Sequence, residues 1–182
     1  IKSAHSILRE IKKYHPASAR VYLAISKCLQ ESSKWKEAEK NARVSTLLDP
    51  SFKPGWRALS RIFRKQGKIK DEVQILRVLL QQDPKDLNVL DQLITALASF
   101  HSNRKIWSLC KQYEGKIFSA SSLMHGAHAC YEIGDFKRSV LFVEKLLVGD
   151  PANASALMIR GNIAVAGKQF AKAIRDYEKV LE

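Results

Sequence analysis

Prolines 16, 50 and 84 stand 34 residues apart, and this spacing restricts the fold more than any other feature of the chain. A period of that length is the length of one helix-turn-helix hairpin, which cannot bury its apolar face alone and stacks on its neighbours. Two further periods predict a proline near position 152. Asp150-Pro151 falls one residue short of it, so the intervening repeat is expected to lack one residue. Length then predicts no separate globular domains: the 182 residues read as one continuous row of hairpins.

The stretch Trp56 to Pro84 shows the unit best. Trp56, Leu59, Ser60 and Phe63 fall at helical spacing, Gly67 marks a turn, and Leu76, Leu79 and Leu80 lead to Asp83-Pro84. One repeat earlier stand Tyr22, Ile25, Ser26 and Leu29, then Trp35, Ala38 and Asp49-Pro50. Leu123, Ala127 and Cys130, then Gly134-Asp135-Phe136, Ser139, Val143 and Leu146 repeat the pattern before Pro151. Leu157, Gly161, Ala164, Phe170, Ala173, Tyr177 and Val180 do so again, with Gly167 one place early at the turn.

This pattern resembles the tetratricopeptide repeat family, whose first helix carries Trp-x-x-Leu-Gly-x-x-Tyr and whose second carries a small residue, an aromatic and a closing proline. The resemblance implies an all-α fold, a right-handed superhelical solenoid of antiparallel helix pairs. Residues 1–16 read as the second helix of a truncated repeat, with Ala4, Leu8 and Ile11 on one face, followed by repeats at 17–50, 51–84, 85–117, 118–151 and 152–182. The leading half-repeat suggests a fragment of a longer protein. After the last hairpin, more chain or a partner is expected over Ala164, Val165 and Tyr177.

Two repeats depart from the family. Glu72 occupies a place where a small residue faces Ser60, and its carboxylate is expected to snorkel to the edge. In the repeat at 85–117, Ile94 and Ile106 replace small residues and the turn His101-Ser102-Asn103 lacks glycine, so its helices are expected to splay. Ile106, Leu109, Cys110, Tyr113 and Ile117 form the inward stripe of its second helix. Trp107 lies off that stripe and is expected to pack under the neighbouring repeat.

Composition excludes several chemistries. Cys28, Cys110 and Cys130 are three in number and widely spaced, which fits reduced core thiols better than a disulfide framework or a zinc site. His125 and His128 have metal-ligand spacing, but Cys130 faces the other helix and no acidic residue joins them, so no metal or other cofactor is expected. No nucleophile elbow, phosphate-binding loop or tuned carboxylate pair is present, and an enzyme is not expected. Apolar runs such as Val140 to Val143 are too short to cross a bilayer. Ile1 opens the chain in place of Met; cytoplasm is the expected compartment, or periplasm if a leader precedes it.

Charge points to a partner. The chain carries a net +13, concentrated in residues 1–91, where 19 basic residues face 10 acidic ones. From Lys53 to Lys70 there are seven basic residues and no acidic one. Family resemblance places the concave groove on the first helix of each hairpin. There it implies Arg20 and Lys27, then Arg57, Arg61, Arg64 and Lys65, then Asn88, Asp91 and Thr95, with Met124, His128 and Tyr131, and finally Met158 and Asn162. Arginines at helical spacing invite carboxylates, so the expected partner is an acidic protein segment lying in that groove, with an apolar anchor near Met124, Tyr131 and Met158. The lysine-asparagine signature of chaperone-tail adaptors is missing, since Leu23 and Lys27 stand in its place. Nucleic acid is the alternative partner, disfavoured because Tyr131 is the only stacking aromatic in the groove and no base-reading pair recurs. Self-association through open solenoid ends is a further alternative.

Overall fold

The computed structural model describes residues 6, 10, 11, 13–15, 17–115 and 119–181, and among them every regular element is helical. Residues 10, 11, 13 and 14 are helical, with Ile11 exposed; the expected apolar partners Ala4 and Leu8 lie outside the described residues. The chain divides into two compact units, Ile1–Val89 and Leu90–Glu182.

In the first unit α1 (Ala19–Glu31) and α2 (Trp35–Leu48) form one hairpin, and α3 (Lys53–Lys65) and α4 (Ile69–Gln82) the next. Helix α3 packs on both α1 and α2. The helices close where small residues meet: Ser26 Oγ donates to the Ala38 carbonyl at 2.8 Å, and both residues are fully buried. Leu29, Leu59, Ile62, Phe63, Leu76 and Leu79 fill the core between the hairpins. Each such side chain gains on the order of 1.5–3 kcal/mol by leaving water.

Helix α5 (Leu87–Ala98) begins at the end of the first unit. In the second unit α6 (Asn103–Gln112) packs on α7 (Ala120–Ile133), α7 on α8 (Phe136–Gly149), α8 on α9 (Ala154–Ala166), and α9 on α10 (Phe170–Leu181). Here the serine stands on the opposite helix, and Ser139 Oγ donates to the Ala127 carbonyl at 2.8 Å. The stripe Ile106, Cys110 and Tyr113 is buried, Leu109 half-buried, and Ile117 lies outside the described residues. The thiols of Cys110 and Cys130 are hydrogen-bonded to each other, which together with burial pushes Cys130 well above the ordinary thiol range. Cys28, expected in the core, is only half-buried.

The turns explain the period. Ser33, Gly67, His101, Gly134 and Lys168 all have φ between 49° and 85°, and they follow one another at intervals of 34, 34, 33 and 34 residues. After each, the next amide closes the same six-residue loop, as Lys68 N–H donates to the Phe63 carbonyl at 2.9 Å and Asp135 N–H to Cys130 at 2.9 Å. The residue missing from the proline count falls between His101 and Gly134. Where glycine is absent or displaced, Ser33, His101 and Lys168 take the left-handed conformation themselves. Gly167, one place early, stays at φ −85°.

Asp-Pro at the end of three of the hairpins, at 49–50, 83–84 and 150–151, has its own reason. Proline cannot continue the helix, and the aspartate bonds the turn: Asp49 Oδ1 accepts from Ser51 N–H at 3.0 Å and Asp83 Oδ1 from Lys85 N–H at 3.3 Å. The freed Pro50 carbonyl accepts from Trp56 Nε1–H and from Gln82 Nε2–H, both at 2.8 Å, tying the loop to both helices of the next hairpin.

Of the side-chain expectations at Glu72 and Trp107, the structure overturns the first and agrees with the second. Glu72 does not snorkel: it is 3% exposed, held by Arg64 Nε–H at 2.6 Å, while Val73 is buried beside it and Leu76, Leu79 and Leu80 keep their register. The ion pair supplies a partner inside, so the carboxylate need not reach water. Trp107 does reach the neighbouring hairpin, half-buried, with Nε1–H donating to Asp135 Oδ2 at 2.8 Å and Lys111 over its ring at 5.5 Å.

Candidate functional site

The basic surface of the first unit is built on α1 and α3. Lys27 lies near the end of α1, and Lys53, Arg57 and Arg61 follow one another by four residues along α3, so they share one face. Together with Pro54 and Ala58 these four cations line a cavity of about 450 Å³. Gln30 completes its wall. Sequence reasoning missed Lys53 and Gln30 here, although Lys53 sits one turn before Arg57, and that spacing was the available signal.

Four of the seven cations between Lys53 and Lys70 already have acidic partners. Lys53 Nζ lies 3.0 Å from Asp83, Arg57 Nη2 2.6 Å from Asp86, Arg64 Nε 2.6 Å from Glu72, and Lys68 Nζ 2.8 Å from Glu39. The carboxylates feel it. The Lys53 bond, followed by the Lys85 amide, holds Asp83 below its ordinary value. At Glu39 burial pushes upward, but hydrogen bonds from Lys68 and Arg43 win and the net displacement is downward. Among the described residues Lys27 and Arg61 form no ion pair. The charge available to a ligand is therefore carried first by those two, with Lys53 and Arg57 shared.

Asp86 also caps α5, its Oδ1 accepting from Val89 N–H at 3.1 Å. Arg57 thus clasps the capping residue of the next hairpin. One repeat later Asp91 occupies the place of Arg57, and its carboxylate accepts from the hydroxyls of Ser119, the capping residue of α7, and of Ser122. These equivalent positions serve hairpin stacking as well as the open face.

The other expected groove residues are placed differently. Arg20 and Lys65 are exposed and do not line the cavity. Arg64 points toward Glu72, though its side chain remains 50% exposed. In the second unit Met124 and Tyr131 are half-buried and Met158 is exposed. Tyr131 stacks at a tilt on Phe136, ring centres 5.9 Å apart, and Asn162 Oδ1 accepts from the Tyr177 hydroxyl at 2.8 Å. His128, exposed and 3.9 Å from Glu132, lines a 390 Å³ cavity with His101, His125 and Thr95. Burial and the neighbouring His128 hold His125 below the usual histidine value, opposed by Asp91. Among the described residues no group of three His, Cys, Asp or Glu side chains is placed to hold a metal ion. None of the described helices is long and apolar enough to cross a membrane.

No protein-family model matches the chain, and neither does any curated protein sequence. Solved structures do. The crystal structure of YrrB, described as a tetratricopeptide protein with an unusual peptide-binding site, superposes with a TM-score of 0.75 at 13% identity, covering 97% of this chain and 91% of that one. A crystal structure of MamA gives 0.70 at 15% identity, covering 90% of each. Naa15/Naa10 bound to HypK-THB gives 0.69 at 16% identity over 98% of this chain, which spans 28% of the matched one. Hairpins whose turns recur every 33 or 34 residues, most of them with small residues where the helices meet and three of them ended by Asp-Pro, together with this likeness, make the fold of the chain that of the tetratricopeptide repeat proteins.

Proposed function

We propose that the chain is a non-catalytic adaptor that binds an acidic segment of a partner protein at the cavity between α1 and α3. The observation that carries this reading is the convergence of Lys27, Lys53, Arg57 and Arg61 on one 450 Å³ cavity, with Lys27 and Arg61 outside any ion pair among the described residues. Two lysines and two arginines around a space of this size match carboxylates in charge and donor geometry. Such a field also speeds the encounter with an acidic partner. One structural relative is named for a peptide-binding site and another is a complex with HypK, which supports protein as the partner class.

The test is fluorescence anisotropy with a labelled glutamate-rich peptide and, separately, a labelled single-stranded oligonucleotide. Wild type is expected to bind the peptide, and Lys27→Glu with Arg61→Glu to lose about tenfold or more of that affinity with unchanged helical content. Peptide binding that survives this reversal, or binding of the oligonucleotide alone, would overturn the reading.

A further inference from the structure

The last two hairpins contain a cavity of different chemistry. In the earlier hairpins the place of Arg160 is held by Ile25, Leu59, Leu93 and Gly126, and the place of its partner Asp176 by Asn41, Ile75, Leu109 and Phe142. Where those positions are mostly apolar, this hairpin has a salt bridge. Arg160 Nε–H and Nη2–H donate to the two oxygens of Asp176 at 2.8 and 2.6 Å, and Nη1–H to Glu144 at 2.9 Å. The three groups satisfy one another and fix α9 between α8 and α10.

Beside this bridge a groove of about 700 Å³ is left open between α8, α9 and α10. Phe136, Val140 and Ile163 give it apolar surface, and Ala164, Ala166 and Gly167 are too small to fill it. Ile163 is half-buried, as is Cys28 at the same place in the first hairpin, whereas Ile62, Ala96 and Ala129 at that place are buried. Lys172, Arg175 and Lys179 also line the groove, at spacings of three and four that put them on one face of α10. Among the described residues none of the three is in an ion pair, and both lining carboxylates, Glu144 and Asp176, are already bound to Arg160.

We propose that this groove is a second docking site, taking a segment of a partner protein in which a bulky apolar residue is flanked by carboxylates. The volume falls within the range that encloses a ligand group, the apolar walls favour a hydrophobic anchor, and the three uncompensated cations select acidic neighbours for it. A second copy of the chain is a poor occupant, because at net +13 it brings like charge to a basic rim. A membrane surface suits protruding apolar side chains, whereas these residues line a recess. The proposal rests on the reading of the chain as a protein-binding module, but on none of the residues of the first cavity.

The test selects phage-displayed random peptides of about 12 residues on immobilised wild-type protein, then measures synthetic copies by anisotropy against three variants. Lys172→Glu with Lys179→Glu reverses the rim on exposed positions, Ala166→Trp fills the groove without touching charge, and Lys27→Glu with Arg61→Glu reverses the first cavity. A peptide class with Asp or Glu beside Leu, Ile or Phe is expected, weakened about tenfold or more by each of the first two variants and unaffected by the third. The proposal is overturned if no selected peptide responds to the rim reversal, or if the selected peptides respond to the rim reversal but not to Ala166→Trp. It is also overturned if only sedimentation with phosphatidylserine vesicles, and no peptide, depends on Lys172 and Lys179. Loss confined to the Lys27/Arg61 variant would support the first site while refuting this one.

Discussion

Arg64 Nε–H donates to the Glu72 carboxylate at 2.6 Å, with Glu72 3% exposed and Arg64 half in water. Glu72 stands in the place of Ala38 of the preceding hairpin and Arg64 in the place of Gln30, so where one hairpin has a small residue this one has an ion pair. Ser60, opposite Glu72 in the repeat, is buried with its hydroxyl unpartnered. This arrangement makes the two partners unequal. Arg64→Ala strands a buried carboxylate and is expected to cost about 2–3 kcal/mol, below the full cost of breaking a buried pair because Arg64 is half exposed. Glu72→Ala restores the family's small residue and leaves a guanidinium that water can reach, so it is expected within about 1 kcal/mol of wild type. Urea denaturation should rank Arg64→Ala below the Arg64→Ala/Glu72→Ala double variant; the opposite order would show that the pair does not govern this interface.

The left-handed turn positions predict substitutions of opposite sign. Gly67, at φ 69°, is expected to lose about 1 kcal/mol on change to Ala. At Lys168, φ 57°, a Lys→Gly change relieves the same strain and is expected to be neutral or stabilising by a few tenths of a kcal/mol after the added freedom of the unfolded chain is counted. Melting temperatures of the two variants check this directly. A Lys168→Gly protein destabilised as much as Gly67→Ala would contradict it.

Asp135 links stability to pH. Burial pushes its carboxyl upward, but hydrogen bonds from Trp107 and Arg138 outweigh this and hold it below its ordinary value. A depressed carboxyl stabilises the fold above its unfolded-state pKa, and that contribution is lost as pH falls through the lower folded value. Asp135→Asn is therefore expected to be less stable than wild type at neutral pH, with the gap closing in the acid range below the ordinary aspartate pKa. Denaturation midpoints of both proteins across that range give the answer, and a gap constant with pH would refute the linkage.

Gly161 and Tyr177 are matched in shape. A Cβ on Gly161 would sit 2.4 Å from the Tyr177 ring, so Gly161→Ala must displace a ring whose hydroxyl is tied to Asn162. The expected loss is roughly 1–3 kcal/mol, and Tyr177→Leu in the same chain should recover part of it by vacating the contact. Failure of that rescue would place the strain elsewhere.

Arg57 separates binding from stacking. Arg57→Glu sets a carboxylate against Asp86, the cap of α5, so it is expected to lower stability as well as affinity for an acidic peptide. Lys27→Glu with Arg61→Glu touches no such pair and is expected to lower affinity alone. Parallel melting and binding curves distinguish the two, and equal thermal loss would contradict the assignment of Arg57 to hairpin stacking.

Periodicity in the chain was enough to read the hairpins. Pro16, Pro50 and Pro84, the small residues at 26, 38, 127 and 139, and the short step to Pro151 depend on local rules of helix length, turn and close approach, which act within one repeat and leave their mark at fixed spacing. What side chains do across a repeat boundary leaves no such mark. That Glu72 is buried on Arg64, that Arg57 is half committed to Asp86, that Ser33, His101 and Lys168 take the turn without glycine, and that Arg160 with Asp176 stands beside an open groove were all decided by tertiary packing. A charged residue on a helix face has the same spacing whether it meets water, a partner or a carboxylate folded back from the next hairpin. Only the three-dimensional arrangement sets the distance, and at a few ångströms that distance determines which charges remain for binding.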